Sequence, residues 1–466
     1  MEKLAVLLHY HDLRVTDHPC LIQVANREIP VLPIFILDEI NLRRLGGASK
    51  WWLHYALKRL SGDYSGLVAR LHLFNDDTIT ILNRLKAQFS EKQIEIHVSY
   101  DPDPLHRNLV DHLVSLGFEL VVHNTNQFFE AGTLLNQQGK VYQVFTPFWK
   151  AMQQRSNEWL DGNKNNATVT NKFIDVDLDS LQLDDLQLLP NIKWDQGFHE
   201  YWQPPKSAKW FWKEFLNCIE SYATRRDIPS DFATSHLSPY LAWGEVSPRQ
   251  LYASLLKRNM QGRTEPWIRQ LGWREFAVHL MHHFPHLVNR PLRPEYESFP
   301  NRQQRSDFNK WKHGKTGFPI VDAGMRQLWR TGWMHNRVRM ITASFLVKQM
   351  LLPWQWGAEW FEDTLVDFDL ANNTMGWQWS AGCGADAAPY FRIFNPLLQS
   401  QKFDKNGAYI KQWLPELSTL SSATIHEPSK AGLVASKLNY PAPILDLKET
   451  RQRALDAYQQ MRNLKD

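Results

Sequence analysis

Cysteine is scarce and scattered, with Cys20, Cys218 and Cys383 the only three in 466 residues. They are too few and too far apart for a disulfide framework, and they lack the paired spacing of a cysteine-based metal site. A reducing cytoplasm and no bound metal are therefore expected. No apolar run is long enough to cross a bilayer. The N-terminal MEKLAVLLHYHDLR meets His and Asp too early for a signal sequence, so no membrane association is expected. An excess of one charge is also missing: 53 Lys and Arg stand against 49 Asp and Glu, a formal +4, weak ground by itself for a nucleic-acid partner. Neither Gly-x-Gly-x-x-Gly nor a P-loop follows the first apolar run, which argues against nucleotide binding in the Rossmann manner. Internal repeats and low-complexity tracts are absent.

What is abundant is tryptophan, 20 residues in a chain otherwise of ordinary globular composition (43% hydrophobic, 22% charged). The length suggests two domains. Short apolar runs at LAVLLHY, Val31 to Leu37 and Ile94 to Val98, separated by helical segments such as Trp51 to Leu60, predict a parallel sheet. Leu120 to His123 and Val141 to Phe148 extend it, giving an α/β domain over residues 1–150. Residues 151–205 lose all sustained period and turn polar and acidic, as a structureless interdomain linker would. From 206 to 466 helical periodicity takes over, and this second domain is expected to be all-α.

The densest chemistry lies between Asp367 and Pro396, DFDLANNTMGWQWSAGCGADAAPYFRIFNP. Carboxylates at Asp367 and Asp369, the amides Asn372 and Asn373, and the indoles Trp377 and Trp379 sit among small residues that let backbone approach a ligand. Capped helices packed on core tryptophans would use the same residue types. Buried carboxylates and amides need partners, however, and a flat polar cofactor would supply them. Upstream, Thr234-Ser235-His236-Leu237-Ser238-Pro239 offers Ser238 as an N-cap and Pro239 as first helical residue. The loop reads either as plain capping or as a pyrophosphate cradle assisted by Arg226. Gln270 and Trp273 share one helix face, and Asn336 and Met340 another. Between Arg302 and Arg339 basic residues interleave with Trp311, Trp329 and Trp333, either a solvated basic face or a surface for nucleic acid.

In order, HYHDLRVTDHP, GGASKWWLH, VFTPFWK, TSHLSPYLAWGEVSPR, WREF, GKTGFPIVDAGMRQL, GWMHNRVRM and GWQWSAGCGADAAPYFRIFNP resemble the photolyase and cryptochrome flavoprotein family nearly end to end, and specifically its bacterial cyclobutane pyrimidine dimer (CPD) photolyases. The resemblance implies a Rossmann-like α/β antenna domain, an all-α FAD-binding domain, and light-driven repair of UV-damaged DNA by a monomer. By position, Tyr222, Arg226, Thr234, Ser235, Leu237, Ser238, Trp267 and Arg274 should contact FAD. Asp367, Asp369 and Asn373 should take the isoalloxazine edge, with Arg339 paired to Asp367 and Asn336 beside the cofactor. Gln270, Trp273, Asn336, Arg337, Met340 and Trp379 should line the cavity for the flipped lesion. Trp377 and Trp354 should begin a chain of tryptophans for photoreduction.

Three departures stand out. Gln270 occupies a position usually held by Glu, which implies slower splitting. Asn301 replaces the distal tryptophan of the photoreduction chain, which implies either that Trp356 or Trp360 substitutes or that photoreduction is weak. The folate-binding Asn-x-x-Tyr-Glu pattern reads His97, Tyr100, Asp101; a methenyltetrahydrofolate antenna at Asp101 is still expected, with a deazaflavin as the other option. A cryptochrome, a blue-light photoreceptor with little or no repair, is the alternative function, and Gln270 and Asn301 favour it slightly.

Overall fold

The computed structural model describes residues 2–163, 172–174, 176–203, 206–260, 262–387 and 391–463. In its first part the apolar runs form strands β1 (Glu2–His9), β2 (Val31–Ile36), β3 (His72–Phe74), β4 (Lys92–Ser99) and β5 (Glu119–His123). These make one parallel sheet in the order β3-β2-β1-β4-β5. β1 is paired on both sides, Leu7 lying against Pro33 and His97. Its interior, Leu4 to Leu7, is buried as in a parallel strand covered on both faces. The crossovers are α1 (Pro19–Asn26), α2 (Gly47–Gly66), α3 (Thr78–Gln88) and α4 (Pro104–Ser115). Asp77 and Asp103 cap the last two, accepting from Thr80 N and Leu105 N. The strand order reverses between β1 and β4, and their carboxyl ends open a crevice there.

Two expectations are corrected. Val141 to Phe148 adds no strand: the segment runs into helix α5 (Phe145–Gln154), whose Phe145, Phe148, Trp149 and Met152 are buried at helical spacing. A short aromatic-rich run satisfies either period, and burial against the second domain selects the helix. Nor is 151–205 structureless. Residues 164–171, 175, 204 and 205 of that linker lie outside the described residues, but Phe173 bridges Val31 and Leu181 bridges Leu73. The chain thus returns along the sheet, burying Leu178, Leu186 and Leu188, and then forms α6 (Gln196–Trp202).

The remainder is helical as expected. It comprises α7 (Ala208–Leu216), α8 (Tyr222–Arg225), α9 (Ser238–Ala242), α10 (Pro248–Leu256), α11 (Glu265–His283), α12 (Arg305–Lys312), α13 (Pro319–Thr331), α14 (Asn336–Ser344), α15 (Trp354–Thr364), α16 (Leu370–Ala381), α17 (Pro396–Phe403), α18 (Ala408–Trp413) and α19 (Leu447–Asn463). Ser247 and Gln250 close a capping box on α10. Gly382, at φ 88°, ends α16 in the left-handed conformation that a side chain would resist. Ser238 is not the N-cap of α9. That place is taken by Leu237, and the Ser238 hydroxyl instead accepts from Trp333 Nε1 at 3.3 Å.

The tryptophans join the two halves. Trp51 Nε1 donates to Asp195 (3.1 Å), Trp52 Nε1 to Glu245 (2.9 Å), Trp202 Nε1 to the Thr331 carbonyl (2.8 Å) and Trp243 Nε1 to the Val366 carbonyl (3.3 Å). Each buries a large ring while its single donor stays satisfied. One apolar cluster therefore runs from Phe35 and Trp51 through Trp202 to Trp243 and Trp267. Among the described residues no helix is long and apolar enough to cross a membrane.

Candidate functional site

The polar stretch identified in the sequence becomes the start of α16 and the turn before it. Asp367, its side chain 2% exposed, receives Arg339 Nη2 on both carboxylate oxygens, at 3.0 and 2.7 Å. Arg339 Nε donates to the Met334 carbonyl (2.8 Å), so the cation is fixed on both sides. Asp369 caps α16, accepting from the Asn372 backbone (2.8 Å) and amide (2.9 Å). Asn373 Nδ2 donates to the Ala358 carbonyl of α15 at 3.1 Å, which commits the amide nitrogen and leaves the carbonyl oxygen as an acceptor. One turn on, Trp377 is buried with its Nε1 unpartnered among the described residues. It lies against Gly357, where a Cβ would overlap the indole.

The hydroxyl loop precedes α9 and is tied to Trp333, whose Nε1 donates to Ser238. Tyr222 is buried beneath the Arg226 guanidinium, 5.0 Å from the ring centre. Ser235 Oγ accepts from Leu237 N at 3.4 Å, while Thr234 Oγ1 is buried with no hydrogen-bond partner among the described residues. Arg337 Nη2 pairs with Asp227 at 2.9 Å and its guanidinium covers Phe403 at 4.4 Å. It is thus anchored within the protein. His335 Nδ1 accepts from Arg337 N at 3.2 Å and caps α14, consistent with burial holding this imidazole down at about 4.

Two predicted FAD contacts also serve as brackets. Trp267 packs against Trp212 and Phe215, with ring centres 4.9 and 5.7 Å away. Arg274 donates to the Asn126 carbonyl (2.6 Å) and to the Leu241 carbonyl (3.3 Å), tying the first domain to α9.

On α11, Gln270 Nε2 donates to the Pro266 carbonyl at 3.0 Å, so its acceptor oxygen is the end left over. Trp273 stacks on Phe145, ring centres 3.6 Å apart and planes 8° apart. Phe145 was missed because its run was read as strand. Asn336 Nδ2 approaches Met340 Sδ at 3.9 Å, confirming their shared face, and Trp379 meets Phe394 edge-on at 6.4 Å. The basic stretch is partly spent internally: Arg326 pairs with Glu416 (2.6 Å) and Arg330 with Glu200 (2.9 Å).

From Trp377 an aromatic path runs outward through Trp311, which the sequence reading places among the basic residues of a surface and which the structure buries instead. Trp311, fully buried, lies 6.2 Å from Trp377, then Phe308 at 5.8 Å and Trp356 at 5.4 Å, with Arg305 over Trp356 at 3.5 Å. Lys312 spans Phe308 and Trp360, and Trp360 stacks on the exposed Trp329 at 5.9 Å. Trp354 packs in the same cluster, whereas Asn301 bonds only to its local turn.

Of the three antenna positions Tyr100 and Asp101 line a cleft, together with Tyr10, His11, Arg43, Trp243 and Asp369, whereas His97 does not. Burial alone would raise the Asp101 carboxyl. The His11 hydrogen bond, 2.8 Å long, and the His11 charge outweigh burial and hold it at about 2. His97 points into the sheet, and the Tyr100 hydroxyl bonds His282.

The site therefore combines an orphaned hydroxyl at Thr234, a fixed Arg339–Asp367 pair and an amide acceptor at Asn373. That donor and acceptor set fits a cofactor with phosphates at one end and a hydrogen-bonding ring at the other. Comparison with known proteins agrees. Residues 267–460 match the model for the FAD binding domain of DNA photolyase, and residues 5–165 the model for DNA photolyase. The chain is similar to deoxyribodipyrimidine photo-lyase of Agrobacterium fabrum, 38% identical over 463 residues that cover 96% of each. It is also similar to cryptochrome-2 of Arabidopsis thaliana, 33% identical over 482 residues that cover 97% of this chain and 78% of the relative. Its fold resembles the crystal structure of a bacterial class III photolyase from Agrobacterium tumefaciens, with a TM-score of 0.89 and 35% identity over 99% and 98% of the two chains.

Proposed function

The chain belongs to the family of DNA photolyases and cryptochromes, and from that premise we propose that it is a deoxyribodipyrimidine photolyase, splitting cyclobutane pyrimidine dimers in UV-damaged DNA under blue light with FAD. The observation that carries this reading is the Asn373 amide, held by Ala358 beside the Arg339–Asp367 pair, within the span that matches an FAD-binding photolyase domain. FAD, when bound and reduced, supplies the photoexcited electron that opens the cyclobutane ring.

The protein's part is to hold, orient and exclude water. Thr234, Ser235 and Ser238 would take the phosphates with Arg226, while Tyr222, Leu237 and Trp267 wall the cofactor. Asp367, Asp369 and Asn373 would take the ring edge. The Arg339 guanidinium, paired with Asp367, adds positive charge where a reduced ring gains electron density. Trp273, backed by Phe145, and Trp379 give apolar surfaces for a flipped dimer, which leaves the duplex at lower cost because it pairs poorly. Gln270 accepts from a pyrimidine N–H through its free oxygen, and Asn336 and Met340 complete the wall. Trp377 begins the electron relay for photoreduction, continued by Trp311 at 6.2 Å, with Trp354 of the same cluster as the other route. The finer assignments are a monomer acting in the cytoplasm and a methenyltetrahydrofolate antenna in the cleft at Asp101.

The test is blue-light repair of a single-stranded oligonucleotide carrying one thymine dimer by purified, chemically reduced protein, beside a dark control. Light-dependent return of intact thymines is expected. Bound dimer with verified reduced FAD and no repair would replace this reading by the cryptochrome one, which Gln270, an amide without a titratable proton, favours.

A further inference from the structure

We propose that the N-terminal domain holds one thiophilic d10 cation, Zn2+ or Cu+, on Cys20, His97 and His123. The three come from α1, the middle of β4 and the end of β5, and they are 0%, 0% and 8% exposed. One ligand atom of each lies within 4.8 Å of the other two. Metal–sulfur bonds of about 2.3 Å and metal–nitrogen bonds of about 2.0 Å place such atoms roughly 3.3–3.8 Å apart. Thiolate with imidazole is the donor set of borderline and soft ions, and the absence of a carboxylate among the three disfavours magnesium and calcium.

The orientation of His97 supports the assignment. Its Nε2 faces Glu95 Oε1 at 3.0 Å. That carboxylate is itself held by Arg27 at 2.5 and 3.0 Å and by Lys3 at 2.9 Å. The Glu95 carboxylate thus stands behind the Nε2 side of the ring, without a well-aligned hydrogen bond among the described residues, and leaves Nδ1 facing away from it, as carboxylates behind metal-binding histidines do. Nδ1 points at His123 Nε2, 2.8 Å away, with the rings nearly parallel at 14°. Two imidazole nitrogens sharing one proton here would share the cation instead, after parting by about 0.5 Å. Among the described residues the Cys20 thiol makes no hydrogen bond, so nothing has to be displaced from sulfur.

The neighbouring His9, Asp12 and His18 cluster shows the contrast. Asp12 already accepts from His9 (3.0 Å), His18 (2.9 Å), Ser99 and the Tyr10 backbone (3.0 Å), so its oxygens are spent within the protein. At the Cys20 cluster binding is balanced simply: the thiol proton and the proton shared between His97 and His123 leave or shift to the outer nitrogen of His123, no electron is transferred, and the ion links α1 to β4 and β5. Such a link stabilises the domain and is independent of the flavin chemistry.

The test uses the full FAD-bound chain, freed of metal by a chelator and titrated with Zn2+ or, without oxygen, with Cu+. X-ray absorption at the metal edge reads the ligands, and melting is followed by circular dichroism. One equivalent of one of the two ions is expected, with one sulfur and two nitrogens around it and a higher Tm. Cys20→Ala and His123→Ala should each lose that equivalent while keeping FAD; His97→Gln serves if either loses FAD. Substoichiometric binding of both ions, sulfur-free coordination, or an equivalent retained in the variants overturns the proposal. None of these outcomes bears on repair, which is assayed separately.

Discussion

The Asn373 amide nitrogen donates to the Ala358 carbonyl at 3.1 Å, which decides the end of that side chain presented as an acceptor. Asn373→Asp removes the N–H and sets a third carboxylate near Asp367 and Asp369. Losing the neutral hydrogen bond to Ala358 costs about 1 kcal/mol of stability. The added negative charge should weaken the reduced cofactor more than the oxidised one. Spectral titration in both redox states checks this, and equal affinity losses in the two states would remove Asn373 from the ring edge.

Gln270 spends one of its two N–H donors on Pro266 and keeps its acceptor oxygen free. Gln270→Glu provides two acceptor oxygens and a titratable proton at the same place. The repair yield per absorbed photon should rise, with dimer binding changed by less than about threefold. An unchanged yield would show that the amide is not what slows splitting.

Photoreduction is expected to leave Trp377 through Trp311, since Asn301 offers no indole and Trp311 stands 6.2 Å away. Trp311→Phe should slow light-driven flavin reduction by a thiol about tenfold or more, the effect of a barrier raised by roughly 1.4 kcal/mol. Trp356→Phe and Trp360→Phe together should do the same. Unaltered reduction in both variants, with Trp354→Phe slow, would put the route through Trp354 instead.

The sheet, the helical domain and the polar edge from Asp367 to Asn373 were legible because each is written locally, as apolar period, caps and one dense segment. What escaped was set by distant partners. Phe145 joined a helix because Trp273 and Phe276 cover it. The ion pair of Arg337 with Asp227 joins two segments that are far apart in the sequence. Cys20, His97 and His123 look unrelated at their sequence spacing, and only the parallel register of β4 and β5 brings the two histidines together. Local pattern predicts elements; pairings between elements depend on burial that no single window contains.

The last prediction concerns His11 and Asp101. Burial lowers the His11 pKa, but the hydrogen bond and charge of Asp101 outweigh it and leave the imidazole above its ordinary 6.5. Its share of stability is therefore full below that value and is lost as the pH rises through the higher folded pKa. Asp101, held at about 2 against an ordinary 3.8, contributes above 3.8 and loses its share as the pH falls toward 2. The pair is thus strongest from about pH 4 to pH 6.5. Asp101→Asn should cost most stability near pH 5.5 and distinctly less near pH 8.5, as read from urea midpoints at both values. Asp103, His106 and Asp369 also act on this cleft and remain in the variant, so the difference isolates the pair. A penalty that is flat with pH would mean that the imidazole stays neutral, and the Asp101 carboxylate would then face the antenna site without its counter-charge.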